Sequence, residues 1–265
     1  MLVLRPGALG DTLLAVPALR ALHRKFGPLT LAAHPGAARL LASVGEVEHG
    51  LAFDDPSLSW LFGDSQKRED IVAWMNADGA PGLRHARLVA PSHPADDRHC
   101  AQYLFESLAP LGVDTTWLDD RPLHVSPVTS DEVLVHPGSG SSAKNWPAAR
   151  FAEVIRALES PVRLIVGEAD LAAALEVEAC LGRSLPRLSN VPLEDLAAHL
   201  AGCRAYAGND SGVSHLAGLC GARSVVLFGP TSPTIWRPLG PRVNVAPFEV
   251  PIEEVVSRLY GSMSS

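Results

Sequence analysis

The sequence predicts an α/β protein built from two successive units, each with a parallel sheet. Short apolar runs end in glycine-containing turns, and helices with an apolar face follow them. This alternation stops near residue 112 and restarts near residue 132. Strands buried on both faces of a parallel sheet appear as continuous apolar runs, as these segments do. We expect units of 1–128 and 129–265, with a polar, turn-rich linker over 112–131.

The first unit opens with a strand–helix–strand pattern. "MLVLR" is a short apolar run, and apolar residues then recur at helical spacing from Asp11 to Phe26. Gly27 and Pro28 end this helix before a second strand at 29–33. Such a unit is almost always right-handed. Further on, we predict a helix near 36–43, strands near 70–75 and 86–90, and a helix over 97–111.

The second unit repeats the alternation more regularly. The predicted strands lie in "EVLVH" and at 162–167, 186–188, 203–208 and 223–229, and the predicted helices at 147–159, 168–181, 193–201 and 212–219. Two such runs indicate two Rossmann-like domains with parallel sheets that face a central cleft. Ligands of such folds bind at the carboxyl ends of the strands.

Composition excludes several classes of protein. Of the 265 residues, 47% are apolar and 19% charged, which is typical of a globular chain with an ample core. The net charge of −7 argues against a nucleic-acid partner. The four cysteines have no metal-ligand spacing and are expected to be reduced, mostly buried thiols. No secretory leader or membrane-spanning run is apparent, so we expect a cytoplasmic protein.

Three strand-end loops of the second unit carry candidate binding groups. "HPGSGSSAKNWP" at 136–147 offers glycines, serine hydroxyls and Lys144, and "GNDSGVSHLAG" at 208–218 leads into the amino end of a helix. "LFGPTSP" at 227–233 is the third loop. Helix N-termini and backbone N–H groups bind anions, so the three loops predict a site for an anionic nucleotide. None of them is a Walker A or dinucleotide-binding motif.

Each candidate also has a purely structural interpretation. Asp210 and Ser211 would serve equally well as caps of helix 212–219. Lys144 alone is typical of a solvated surface lysine, and histidines such as His136 and His215 are more often satisfied core residues than ligands. In the first unit, Asp11 follows a turn built on Gly7 and Gly10 and is itself a candidate N-cap.

The motifs in combination resemble glycosyltransferase family 9, the heptosyltransferase family of lipopolysaccharide core assembly. The matching stretches are "RPGALGDTLLAVPALRAL", "CAQYLFESLAPLG", "VHPGSGSSAKNWP" and "GNDSGVSHLAGLCGARSVVLFGPTSP", followed by Trp236 and Pro238. The resemblance covers nearly all of 129–240 and about half of 1–128. It implies a GT-B fold, with the donor ADP-L-glycero-D-manno-heptose on the second domain and the acceptor on the first.

The resemblance also implies roles for individual residues. Asp11 matches the family's catalytic aspartate, next to Gly10 and Thr12. The phosphate and sugar contacts of the donor are matched by Ser139, Gly140, Ser141, Lys144, Asp210, Ser211, Gly212 and His215. Glu168 corresponds to an acidic residue near the ribose, and Val191 would offer its backbone to the adenine. The family's chemistry is inverting and metal-independent, so we expect no metal and no cofactor, the ADP-sugar being a substrate.

The implied mechanism explains the acidic residue after the first turn. An acceptor hydroxyl attacks the anomeric carbon, and a carboxylate must receive its proton and offset the developing positive charge. Lys144 and the N-terminus of helix 212–219 would balance the leaving diphosphate. Asp11 can cap its helix with one oxygen and present the other to the acceptor. A glycan or glycolipid acceptor would bring the protein into peripheral contact with the cytoplasmic face of the inner membrane.

The sequence departs from the family in the first unit, which is shortened. Residues 54–95 do not align with the family, so the identity of the acceptor and of the donor sugar stays open. The basic residues available for an anionic acceptor there are equally explained as surface charges: Lys67, Arg68, Arg84, Arg87 and Arg98. Alternatives to a transferase are a sugar-nucleotide epimerase or hydrolase, and a non-catalytic nucleotide-sugar-binding protein. An NAD-dependent oxidoreductase is the weakest candidate, since the dinucleotide glycine pattern is absent.

Overall fold

The computed structural model describes residues 1–63 and 70–261. The chain divides into two compact units, Met1–Asp120 and Arg121–Ser265. This division lies before the predicted boundary between residues 128 and 129. Residues after Arg121 lie along the second unit, where the N–H groups of Leu123, Val128 and Ser130 donate to backbone carbonyls of that unit. Much of the expected linker is therefore an extended segment packed on the second unit.

The first unit contains a five-stranded parallel sheet in the order β3-β2-β1-β4-β5. Its strands are β1 (Leu2–Arg5), β2 (Thr30–Ala33), β3 (His49–Ala52), β4 (Ile71–Trp74) and β5 (Leu88–Ala90). Its α-helices are α1 (Leu9–Leu13), α2 (Val16–Phe26), α3 (Pro35–Ser43) and α4 (Cys100–Glu106). Short 3₁₀ helices lie at Pro56–Phe62, Pro81–Leu83 and Ala109–Leu111.

The second unit contains a six-stranded parallel sheet in the order β11-β10-β9-β6-β7-β8. Its strands are β6 (Val133–His136), β7 (Val162–Val166), β8 (Arg187–Ser189), β9 (Ala205–Asn209), β10 (Ser224–Phe228) and β11 (Val243–Pro247). Its α-helices are α5 (Ala148–Ala157), α6 (Leu171–Leu181), α7 (Leu193–Gly202), α8 (Gly212–Leu219), α9 (Pro233–Trp236) and α10 (Ile252–Tyr260). A 3₁₀ helix lies at Ser142–Lys144.

Both sheets confirm the predicted fold class of two Rossmann-like α/β units. Numbered within its own unit, each sheet has its third, second, first, fourth and fifth strands side by side in that order. This is the doubly wound order. Successive strands are added on one side of the first strand, and the fourth strand then begins the other side, so the order of strand addition reverses between the first and fourth strands. Strands such as β4 and β6 are buried along their whole length, as their continuous apolar sequences predict.

Several elements differ from the predictions. The single helix predicted from Asp11 to Phe26 is two helices, α1 and α2, since Pro17 lies at the start of α2. Proline has no N–H, and its ring clashes with the carbonyl four residues earlier, so it interrupts a continuous helix. The predictions missed β3, α9, β11 and α10. The strands "HGLA" and "VNVAP" carry polar residues or proline and are only partly buried, which hides them from an apolar pattern.

Candidate functional site

Most of the predicted site residues follow strands at the reversal points of the two sheets, and Glu168 and Val191, which follow β7 and β8, are the exceptions. In the first unit Asp11 follows β1, which pairs with β2 on one side and with β4 on the other. In the second unit the loop with Lys144 follows β6, and Asp210 follows its neighbour β9. Loops at such a reversal diverge and leave room for a ligand between them. The carboxyl ends of β1, β6 and β9 therefore contain the candidate groups.

The turn after β1 fixes one oxygen of the Asp11 carboxylate. Ala8, and not Asp11, is the N-cap of α1, so the interpretation of Asp11 as the N-cap is wrong. Asp11 is the third residue of the helix, and its Oδ2 accepts the Ala8 N–H at 2.9 Å. Gly7 has a φ of +133°, and a Cβ there would lie 2.7 Å from this same oxygen. The turn is therefore shaped for the carboxylate as well as for the helix start.

A buried guanidinium lies on the other side of the carboxylate. Arg5, the last residue of β1, is 1% exposed, whereas the Asp11 side chain is 31% exposed. Arg5 Nη2 lies 3.6 Å from Asp11 Oδ1, and Arg5 Nε donates to the Asp11 backbone carbonyl at 3.2 Å. Burial lowers the pKa of the Arg5 guanidinium below its usual value, and the Asp11 charge opposes that shift. Arg5 is not among the site residues predicted from the sequence.

The other two predicted residues of this turn lie in α1. Gly10 is partly exposed, and its carbonyl accepts the Leu14 N–H at 3.0 Å. Thr12 is fully buried, with its hydroxyl 3.5 Å from the Ala8 carbonyl oxygen. Their substrate contacts stay predictions.

The loop after β6 is held by its own polar groups and by Asn209. Ser139 Oγ lies 2.8 Å from Asn145 Oδ1 and 2.6 Å from the Ser141 carbonyl oxygen. The buried Asn209 side chain accepts the Trp146 N–H at 2.9 Å and donates to the Pro137 carbonyl at 2.8 Å. The loop thereby leaves Gly140 and Ser141 exposed at its tip.

Lys144 is held against Asp210. Lys144 Nζ lies 2.8 Å from Asp210 Oδ2, and Thr231 Oγ1 donates to the same oxygen at 2.7 Å. Lys144 is one-third exposed, while the Asp210 carboxylate is buried. Lysine, carboxylate and hydroxyl come from the loops after β6, β9 and β10, so the three motifs meet at one edge of the sheet. Thr231 lies in the predicted "LFGPTSP" loop but was not itself singled out.

The amino end of α8 lies beside this pair. Ser211 is the N-cap of α8, which confirms its structural interpretation, and its Oγ accepts the Ser214 N–H at 3.4 Å. Ser214 also lies 2.8 Å from the buried Tyr206 hydroxyl. The first N–H groups of a helix have no intrahelical acceptor, and Gly212 is partly exposed there. This end of the helix is therefore suited to an anion. His215 is buried in the same helix.

A buried histidine connects the loops after β6 and β7. His136 Nε2 lies 2.9 Å from Asp170 Oδ2, and His136 Nδ1 lies 3.2 Å from Ser211 Oγ. Asp170 Oδ2 also accepts the Gly167 N–H at 3.0 Å. Burial alone would raise the pKa of Asp170, but these hydrogen bonds and the charge of His136 bring it below its ordinary value. Both ring nitrogens of His136 thus have hydrogen-bond partners within the protein, as the interpretation of His136 as a core residue predicts.

The carboxylate of Asp170 also explains why the loop after β6 has a glycine at position 138. A Cβ at Gly138 would lie 1.9 Å from Asp170 Oδ1, which no side chain could accommodate without displacing the aspartate. The helix predicted to begin at residue 168, next to the predicted site residue Glu168, is α6, which begins at Leu171 and is preceded by Asp170. The signal that would have found Asp170 is a polar residue between a strand-end glycine and the helix start.

The two residues predicted at the nucleoside follow β7 and β8. Glu168 is exposed in the loop after β7. Val191 is partly exposed and follows Asn190, which has a φ of +49° and donates its N–H to the Val166 carbonyl. Both residues lie at the carboxyl edge of the sheet, and their contacts with a nucleoside stay predictions.

Basic residues of the first unit have partners of their own. Arg98 forms ion pairs with Asp96 at 2.7 Å and with Glu106 at 2.9 Å, and the Arg87 guanidinium lies over the Phe26 ring. Lys67 and Arg68 lie outside the described residues. Within 1–63 and 70–261, no group of histidine, cysteine and acidic side chains is arranged to hold a metal ion. No helix among those residues is long and apolar enough to span a membrane.

Comparison with known proteins identifies the family of the chain. A family model described as glycosyltransferase family 9 (heptosyltransferase) matches residues 106–254. Lipopolysaccharide heptosyltransferase 1 of Pseudomonas aeruginosa is 36% identical over 138 residues, which are 48% of this chain and 36% of that protein. The chain spans between 32% and 48% of the length of three curated relatives that it matches.

Solved structures show the same fold. Escherichia coli heptosyltransferase WaaC with ADP has a TM-score of 0.77 at 15% identity, covering 99% of each chain. The E. coli ADP-heptose LPS heptosyltransferase II has a TM-score of 0.75 at 19% identity, covering 98% of this chain and 97% of that one. The likeness to these heptosyltransferases confirms the GT-B fold class.

Proposed function

Because this chain belongs to glycosyltransferase family 9, we propose that it transfers heptose or a related sugar from an ADP-sugar to a glycan acceptor. In the proposal the transfer inverts the anomeric configuration, and the acceptor is of the lipopolysaccharide-core type or another glycan. The convergence of Lys144, Asp210 and Thr231 beside the amino end of α8 carries the proposal.

The second unit is proposed to bind the donor. Lys144 supplies a positive charge and the amino end of α8 supplies N–H groups, so together they offset the charge of a leaving diphosphate. Asp210 holds Lys144 in place before the donor arrives. Ser139, Gly140 and Ser141 would contact phosphate oxygens, and His215 and Gly212 would contact the sugar side. Glu168 and the backbone of Val191 would contact the ribose and the adenine.

The first unit is proposed to supply the base. The acceptor hydroxyl oxygen forms a bond to the anomeric carbon, the bond from that carbon to the diphosphate oxygen breaks, and the hydroxyl proton passes to the Asp11 carboxylate. Asp11 is one-third exposed, with Oδ2 already engaged by a backbone N–H. An ionised carboxylate has acceptor capacity for several hydrogen bonds, so this engagement leaves room for the acceptor proton.

The acceptor sets the cellular location in this proposal. A glycolipid acceptor would bring a cytoplasmic protein to the inner face of the inner membrane. Residues 54–95, which differ from the family pattern, are expected to determine which glycan is accepted.

The test is the release of ADP from ADP-heptose, measured with and without a truncated lipopolysaccharide core glycolipid. Acceptor-dependent release, with a product of inverted configuration by NMR, is expected. Equal release without acceptor would indicate a hydrolase, and binding without release would indicate a nucleotide-sugar-binding protein.

A metal-independent mechanism predicts that turnover survives EDTA. Lys144 and the amino end of α8 take the role that a divalent cation has in other transferases, so chelation should leave the rate unchanged. Loss of turnover in EDTA with recovery in magnesium or manganese would contradict this part of the proposal.

A further inference from the structure

Arg5 is a charged side chain buried where stability alone does not explain it. It is 1% exposed and ranks among the largest fully buried side chains of the described chain. Removing a guanidinium from water costs several kcal/mol, and well-packed apolar replacements of buried ion pairs are often neutral or stabilising. A residue of this kind therefore calls for an explanation other than packing.

The guanidinium contacts Asp11 through both the backbone and the side chain. Arg5 Nε donates to the Asp11 carbonyl at 3.2 Å, and Nη1 lies 3.4 Å from the Pro6 carbonyl oxygen. Arg5 Nη2 lies 3.6 Å from Asp11 Oδ1, and the Cys100 thiol also lies against the guanidinium. Two nitrogens of the rigid Arg5 guanidinium, Nε and Nη2, thus face Asp11.

The other titratable groups that act on Arg5 are neutral. Cys100 and Tyr103, both on α4, are the other titratable groups facing the guanidinium. Burial raises the pKa of the Cys100 thiol to about 11, and burial also raises that of the Tyr103 phenol, so both are protonated at neutral pH. Asp11 is therefore the single negative charge that balances Arg5 among the groups facing it.

The carboxylate is held from two sides. Oδ2 accepts the Ala8 N–H, and Oδ1 lies toward the guanidinium, which determines the plane of the carboxylate. We propose that Arg5 is a positioning residue for the reaction, holding the Asp11 carboxylate in the orientation that receives the acceptor proton. The inference rests on the proposed function. A displacement of a reacting group by about 1 Å costs on the order of 10²-fold in rate, so loss of this support should be measurable.

The test is a double-mutant cycle of Arg5→Met and Asp11→Asn, with transfer from ADP-heptose as the readout. Arg5→Met should lower kcat by about 10²-fold and leave the KM for the donor unchanged, since the proposed donor contacts lie in the second unit. In the Asp11→Asn background the same change should have no further effect on kcat. Arg5→Lys should recover part of the rate, because it restores the charge without the two-nitrogen contact.

Circular dichroism and the melting temperature of each variant show whether it is folded. If Arg5→Met does not fold, the cycle uses Arg5→Lys, whose smaller loss should likewise vanish in the Asp11→Asn background. Equal fold-losses from the Arg5 change in both backgrounds would overturn the positioning role. An inactive wild type would instead refute the proposed function, so the two failures are distinguishable.

Discussion

The turn after β1 and the loop after β6 both place a glycine against a carboxylate, but the two carboxylates have different surroundings. Gly7 lies against Asp11, which is 31% exposed, accepts one backbone N–H and faces a buried arginine. Gly138 lies against Asp170, which is 13% exposed and is engaged by a histidine and a backbone N–H. The same packing of glycine on carboxylate therefore occurs at the proposed base and at a carboxylate that holds two parts of the second unit together.

The different exposure and partners of Asp11 and Asp170 indicate how to distinguish a carboxylate suited to proton transfer from one that only holds the fold. Asp170 connects the end of β6 to the loop after β7, and its hydrogen bonds are made within the protein. Its contribution is therefore to the shape of the loop after β6. Asp11 keeps an exposed part, and the charge beside it is a permanent cation rather than a histidine. Exposure together with a fixed orientation is what a general base requires.

The largest expected effect comes from Asp11→Asn. The amide cannot take the acceptor proton, so the transfer rate should fall by about 10²–10⁴-fold while ADP affinity stays unchanged. The amide oxygen can still accept the Ala8 N–H, but its NH₂ group then faces Arg5, which should cost about 1 kcal/mol of stability. Transfer rates and calorimetric ADP binding measure both quantities.

Asp11→Ala is the companion variant. It removes the bond to the Ala8 N–H as well, so it should lose a further 0.5–2 kcal/mol or so of stability with a similar loss of rate. A folded Asn variant that transfers at the normal rate would refute the role of Asp11 as base and reduce the carboxylate to a helix-start contact.

Lys144→Ala should weaken ADP binding by about 1–3 kcal/mol, the cost of losing a charge-assisted hydrogen bond to phosphate. Isothermal calorimetry with ADP measures this change. Lys25→Ala is the matched control, since Lys25 lies in the first unit, where it donates to the Gly112 carbonyl. Unchanged ADP affinity in Lys144→Ala would exclude this lysine from the donor site.

Two glycine substitutions sharpen the comparison. Gly138→Ala should destabilise the protein by about 1–3 kcal/mol through overlap with Asp170, and Asp170→Ala should relieve that overlap. Gly7→Ala should cost a similar amount, about 1–3 kcal/mol, mainly because of its backbone conformation, so Asp11→Ala should relieve little of it. Melting temperatures of the four single and two double variants provide the test. If Asp11→Ala fully restored the melting temperature lost in Gly7→Ala, the loss would come from overlap with the Asp11 carboxylate and not from the backbone conformation of Gly7.

The smallest effect is expected for Asp170→Asn, about 1 kcal/mol near neutral pH. Its folded pKa lies below the unfolded value of about 3.9, so the stability that the ionised form contributes is fully present above that pH. This contribution is lost as the pH falls through the folded pKa. The difference in melting temperature between wild type and variant should therefore shrink in acid. Glu168→Gln, two positions earlier and exposed, is the control and should show no such dependence.

The sequence alone determined the fold class, the three loops of the second unit and the family. Parallel strands buried on both faces appear as apolar runs, and glycine, serine and lysine at the strand ends are local features of the chain. The predicted start and end of α8 agree with the structure, since Ser211 is a cap that acts within one turn. Resemblance to the family likewise rests on short contiguous motifs.

Tertiary structure alone decided which groups meet. Asp210 lies 66 positions from Lys144, and Asp170 lies 34 positions from His136, so no local pattern pairs them. The short strands β3 and β11 form because neighbouring strands offer hydrogen-bond partners, not because of their own composition. Arg5 reads in sequence as the polar end of a strand. Only its burial beside Asp11 distinguishes it from a surface arginine, and in the fold it lies near Cys100 and Tyr103 of α4, which are distant from it in the sequence.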